Sequence, residues 1–238
     1  MAKEKHYIQE DVFTKITKKL EHFISQHLKT ILISVSSAVV VVAVYFSVDY
    51  FITKKQQTAF GAFDKVYLVY SELINDQTLS DEEKEDKLVA LTEDFQLVID
   101  TYPDSKAAMK SAYYMGNILI DAGKYEQAAQ FYQKGSVIKG SVIDKKYYIS
   151  FLCLLKLASC YEQLDELEKA AQIYQSIQEE YKETYIIPTV LFNLGQVLEK
   201  QDKPEKADEQ YSRIVSAYQW SSWKDFAEKR QLLLKNFM

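Results

Sequence analysis

Residues 191–211 read LFNLGQVLEKQDKPEKADEQY. Leu191, Leu194 and Leu198 recur at helical spacing around Gly195, and after a break at Asp202–Pro204 a second helical stretch carries Ala207 and Tyr211. The same arrangement stands twice upstream. Leu154, Leu157-Ala158 and Tyr161 lead to Ala170 and Tyr174, and Ala112, Met115-Gly116 and Leu119 lead to Ala128 and Tyr132. In every copy twelve residues separate the small residue of the first helix from the alanine of the second, and four more reach a tyrosine. Antiparallel helices approach closely only where both carry small side chains, so this spacing predicts helical hairpins stacked in series. The tyrosine is expected to fill the gap against the following hairpin.

These residues resemble the tetratricopeptide repeat, in which a large apolar residue, Leu-Gly and Tyr precede an alanine and an aromatic residue on a second helix. The resemblance implies an all-α solenoid. Ala128 to Ala170 spans 42 residues and Ala170 to Ala207 spans 37. Against the usual period these gaps hold insertions of roughly eight and three residues, expected around Gly135–Lys146 and Lys182–Ile187. Repeats are expected at about 109–142, 151–184 and 188–221. A divergent copy at 59–104 would have Leu91 in the alanine's place, a first helix at Ala59–Asn75 and a charged loop at Asp76–Lys84. Trp223–Phe237 reads as a capping helix, with Phe226, Leu233 and Leu234 inward and Lys224, Lys229 and Arg230 outward, since the last unit of an array leaves a face uncovered.

Thr30–Val48 (TILISVSSAVVVVAVYFSV) has nineteen residues without a charge, close to the length that crosses a bilayer as a helix. The predicted organisation is a tail at 1–29, a transmembrane helix at 30–52 and the repeat domain at 53–238. A tail containing acids precedes the segment and no small-x-small cleavage site follows it, which favours an uncleaved anchor over a signal peptide. Lys15, Lys18, Lys19 and Lys29 flank it on one side and Lys54, Lys55 and Lys65 on the other. With Lys3 and Lys5 added, the bias places the N-terminus in the cytoplasm and the repeat domain across the membrane, in the periplasm of a bacterial cell. In the tail, Ile8, Val12, Ile16, Leu20 and Ile24 recur every four residues, an amphipathic pattern suited to a lipid surface or to a partner.

Composition narrows the chemistry. Residues 54–238 hold 23 basic and 29 acidic side chains, which argues against nucleic acid as a partner. His6, His22 and His27 all lie in the tail, so the repeat domain has no imidazole base or metal ligand. Cys153 and Cys160, seven residues apart on one predicted helix, sit too far apart for a disulfide. No catalytic constellation, phosphate-cradling loop, metal site or cofactor is expected, and partners are expected to be proteins rather than small molecules.

The resemblance to tetratricopeptide proteins further implies a groove formed by the first helices. Its lining places hold Lys110, Tyr113 and Asn117, then Leu155 and Ser159, then Phe192 and Gln196. The carboxylate clamp of some such proteins is matched only by Asn117, because Tyr113, Thr189 and Asn193 stand where basic residues are needed. In layout the chain resembles the translocon-associated, YfgM-like family of bacterial inner-membrane proteins. That likeness implies an adaptor for translocon, periplasmic chaperone or client proteins. A structural scaffold in envelope assembly or cell division is the alternative.

Overall fold

The structure, a computed structural model, describes residues 12–137, 148–181 and 185–235. Among these are nine α-helices and no strand: α1 (Val12–Asn75), α2 (Asp81–Thr101), α3 (Lys106–Asp121), α4 (Tyr125–Val137), α5 (Tyr148–Gln163), α6 (Leu167–Glu180), α7 (Ile187–Lys200), α8 (Pro204–Ala217) and α9 (Trp223–Lys235). The chain divides into two compact units, residues 1–55 and 56–238.

The described part of the first unit is the leading portion of α1. It contains an apolar 18-residue window long enough to cross a membrane, and none of that window is buried. Inside it, Ser36 donates to the Leu32 carbonyl at 2.8 Å, Ser37 to Ser34 at 2.9 Å and Ser47 to Ala43 at 2.8 Å. These hydroxyls are each satisfied by a carbonyl of the preceding turn of the same helix. Val12, Ile16, Leu20 and Ile24 are exposed along the preceding turns; Ile8 lies outside the described residues. α1 covers both the segment expected at 30–52 and the first repeat helix expected at 59–75. Residues 53–58 (TKKQQT) contain no proline or glycine to stop it.

In the second unit the helices pack in chain order from α2 to α9, and first helices also meet directly, α3 on α5 and α7 on α9. The divergent first repeat pairs the end of α1 with α2, burying Ala59, Phe63, Leu91 and Phe95 in one cluster. α2 starts earlier than the charged stretch suggested. Ser80 accepts from the Glu83 amide at 3.3 Å, and the Glu83 carboxylate accepts from the Ser80 amide at 3.0 Å, a capping box that draws Asp81–Lys84 into the helix. Ser105 caps α3 in the same manner, accepting from the Ala108 amide at 3.0 Å.

The three later hairpins share one turn. Gly123, Asp165 and Asp202 occupy equivalent places, and all three have positive φ, at 69°, 58° and 57°. The next amides, of Lys124, Glu166 and Lys203, reach back to the carbonyls of Leu119, Tyr161 and Leu198 at 2.8, 2.8 and 2.9 Å. This closes each first helix with a Schellman pattern. An aspartate tolerates the left-handed region better than most residues, which explains how two repeats do without glycine there.

The small residues do what their spacing suggests. Ala128, Ala170 and Ala207 are fully buried. A Cβ added to Gly116 would lie 2.5 Å from the Tyr132 ring, and one added to Gly195 would lie 2.5 Å from the Tyr211 ring. Each of these tyrosines sits on the glycine of its own hairpin, and Tyr132 also clusters with Cys153, Leu157 and Cys160 of the next. The same seam is close at Gly135 of α4, where a Cβ would meet the Cys153 sulfur of α5 at 2.7 Å. Both cysteines are free and buried, and burial pushes the Cys153 thiol up to about 12 and the Cys160 thiol to about 11. Lengthening Ala128 or Ala170 to leucine should therefore destabilise the domain by about 1–3 kcal/mol through overpacking. Urea unfolding of each full-length variant in detergent would register this as a lower midpoint.

α9 faces differently from the expected cap. Ala227 and Leu234 are buried, whereas Phe226 is 54% and Leu233 48% exposed. Arg230, expected outward, turns in to pair with Glu199 of α7. The insertion at 138–147 and residues 182–184 lie outside the described residues.

Candidate functional site

The face shared by the first helices is built on a repeated polar link. The Tyr132 hydroxyl donates to Asn117 Oδ1 at 2.7 Å, Tyr174 to Glu162 Oε1 at 2.8 Å and Tyr211 to Glu199 Oε1 at 2.5 Å. Burial, joined at Tyr174 and Tyr211 by the neighbouring carboxylates, holds all three hydroxyls well above the ordinary tyrosine range. They therefore stay protonated and act as donors.

In the last two hairpins the acceptor is held in turn by a cation from the next helix pair. Lys200 Nζ lies 3.0 Å from Glu162 Oε2, and the Arg230 guanidinium clasps Glu199, with Nε 3.0 Å from Oε1. Asn193 adds a donor 3.5 Å from the Tyr174 hydroxyl. Each chain of groups runs from a second helix, through its own first helix, to the following repeat. Such linkage fixes the spacing of neighbouring first helices more firmly than apolar contact alone.

Against this frame the expected groove residues separate. On α3, Lys110 lies 5.2 Å from the ring centres of both Phe60 and Phe63, a cation–π arrangement that keeps its stem against the aromatic surface. Tyr113 is half-buried, its ring 5.5 Å from Tyr114 and 6.1 Å from Tyr132. Asn117 is half-buried; its oxygen takes the Tyr132 hydroxyl, which orients the side-chain nitrogen for a further acceptor. On α5, Leu155 and Ser159 are half-buried, and so is Gln196 on α7.

Phe192 is not available in that way. Only 6% exposed, it packs with ring centres 4.6 Å from Trp223 and 5.6 Å from Tyr211. The structure thus places it in the core beneath α9, and it does not front the groove. Sequence reading also passed over an aromatic group at the other end, where Phe63, Tyr67, Tyr70, Phe95 and Tyr114 stack with neighbouring centres 5.0–6.2 Å apart. Burial, then a hydrogen bond with Tyr67, raises the Tyr114 hydroxyl. The tyrosine count was the available signal, but the divergent repeat has no motif to give those rings a register.

Among the described residues no group of three or more His, Cys, Asp or Glu side chains is placed to hold a metal ion. The chemistry on this face is hydrogen bonding and aromatic contact.

Residues 152–184 and 189–219 match the tetratricopeptide repeat family. No curated protein matches the chain. Among solved structures it is similar to a tetratricopeptide repeat protein from Parabacteroides merdae, with a TM-score of 0.55 and 17% identity over 76% of this chain and 61% of that one. It is also similar to the nearly identical TPR-like repeats of a kinesin light chain from Podosopora anserina, with a TM-score of 0.53 and 10% identity over 73% of this chain and 84% of that one. At such identities the likeness establishes the fold alone.

Proposed function

We infer that this chain, which carries tetratricopeptide repeats at residues 152–184 and 189–219, is a protein-interaction scaffold tethered to a membrane through α1. The observation that carries the reading is the row of half-buried amide, hydroxyl and aromatic side chains on successive first helices: Tyr113, Asn117, Leu155, Ser159 and Gln196. Their polar atoms lie beside apolar surface, the combination that holds an extended or helical segment of another protein. The lysine bias across residues 30–48 supports an N-terminus in the cytoplasm and a repeat domain in the periplasm. With the resemblance in layout to translocon-associated inner-membrane proteins, the reading becomes an adaptor for proteins emerging at, or residing near, the bacterial inner membrane. Tethering raises the local concentration of the groove where such clients appear.

Photo-crosslinking in intact bacterial cells tests this. A crosslinking residue at Leu155 should capture translocon, chaperone or newly exported proteins, while one at the exposed Lys206 of α8 should not capture the same set. Combining Tyr113→Ala with Gln196→Ala should lower capture from Leu155 without shifting the thermal unfolding of the purified chain. Equal capture from both positions, or capture unaffected by the double substitution, would refute the groove reading.

A further inference from the structure

A cavity of about 440 Å³ opens on the opposite type of helix, between the second helices of the last two repeats. It is lined by Gln175, Gln178 and Glu179 of α6, Ile187 at the start of α7, Arg213 of α8 and Tyr218 just beyond it. Arg213 Nη1 donates to Gln178 Oε1 at 2.7 Å and to Gln210 Oε1 at 3.1 Å. Two acceptors on one nitrogen fix the plane of the guanidinium and leave its remaining N–H groups for a ligand. Gln178 is held by the same bond, and its Nε2 is buried without a hydrogen-bond partner among the described residues. A buried amide donor with nothing to donate to is destabilising, so an acceptor entering the cavity recovers that loss.

The ligand's charge follows from what else lines the cavity. Among the described lining residues the charges are those of Arg213 and of Glu179, which stands exposed at the rim. A doubly charged phosphate would meet repulsion from Glu179. A single carboxylate matches the planar fork of Arg213 and the Gln178 amide together. Ile187 is buried and adds an apolar floor, and the volume has room for a side chain with its adjoining backbone.

We propose that this cavity is a carboxylate-binding site that takes an acidic side chain of a protein partner, separate from the groove on the first helices. It provides a second contact on the opposite set of helices and does not depend on what the groove binds.

The test is titration calorimetry on the full chain in detergent with two capped peptides, acetyl-Gly-Glu-Gly-amide and its Gln isostere. Saturable binding of the Glu peptide, about tenfold tighter than the Gln peptide, is the expected result. Arg213→Gln should remove the preference, and Arg213→Lys, which keeps the charge without the fork, should bind between the two. Acetate should compete with the Glu peptide, which would separate recognition of the carboxylate from recognition of the backbone. Tyr113→Ala should leave the titration unchanged. No saturable binding, equal binding of both peptides, an unaltered Arg213→Gln titration, or loss of binding in Tyr113→Ala would each overturn the proposal. Failure of Leu155 crosslinking would bear on the groove alone.

Discussion

Tyr211→Ala should destabilise the repeat domain by about 3–5 kcal/mol, the range for removing a large aromatic side chain from a packed core. The ring is fully buried on Gly195, and α7 cannot close the space it leaves because Glu199 and Arg230 hold α7 against α9. Tyr211→Phe keeps the ring and removes only the donor to Glu199. Arg230 still satisfies that carboxylate, so the expected loss is about 1 kcal/mol. The pair separates packing from hydrogen bonding. Urea unfolding followed by far-ultraviolet circular dichroism measures both, and comparable losses in the two variants would show that the hydroxyl, not the ring, sets the stability of this hairpin.

Phe95→Ala should produce a similarly large loss, about 3–5 kcal/mol, from the other end of the domain. Phe95 is fully buried and stacks with Tyr114 of α3 at 6.0 Å and with Phe63 at 6.2 Å. The divergent first hairpin is therefore bonded to the second through aromatic rings as well as through the shared helix seam. In a stacked array stability is approximately a sum of repeat and interface contributions. With so large an interface the whole domain should still melt in one transition, shifted downward. A separate early transition in the variant, with the rest of the domain unfolding as in the parent, would mean that the first hairpin is an independent appendage.

The helix pairs and their register were legible because they rest on side-chain size at fixed spacing. Gly116, Ala158 and Gly195, each twelve residues before an alanine, have no other arrangement in which their absent or small side chains matter. The apolar run at 30–48 was legible as a helix, and it lies within α1. What escaped were features decided by a single partner. Leu234 turns inward as expected, whereas Phe226 on the same helix stays exposed and Arg230, expected outward, pairs with Glu199 of another helix. Phe192 stands at a groove-lining place by pattern, yet Trp223, thirty-one residues later, covers it. The left-handed turns at Asp165 and Asp202 went unread because aspartate in a charged stretch looks like ordinary solvated surface. The outer cavity had no sequence signature, as Gln178 and Arg213 come from different repeats and neither belongs to the motif.

The seam between α4 and α5 also makes the molecule a recorder of its own fluctuations. Cys153 is pressed against Gly135, and its thiol, raised to about 12, is almost wholly un-ionised at neutral pH. A thiol reagent reaches it only in the moments when the third hairpin, α5 with α6, parts from the second, α3 with α4. When reclosing is fast, the labelling rate is the intrinsic thiol rate scaled by the population of that open form. Cys160, two turns further along the same helix, reports the next stretch of the seam. With no engineered probe, the ratio of the two rates at increasing urea would reveal whether adjoining hairpins separate progressively from one end or all at once.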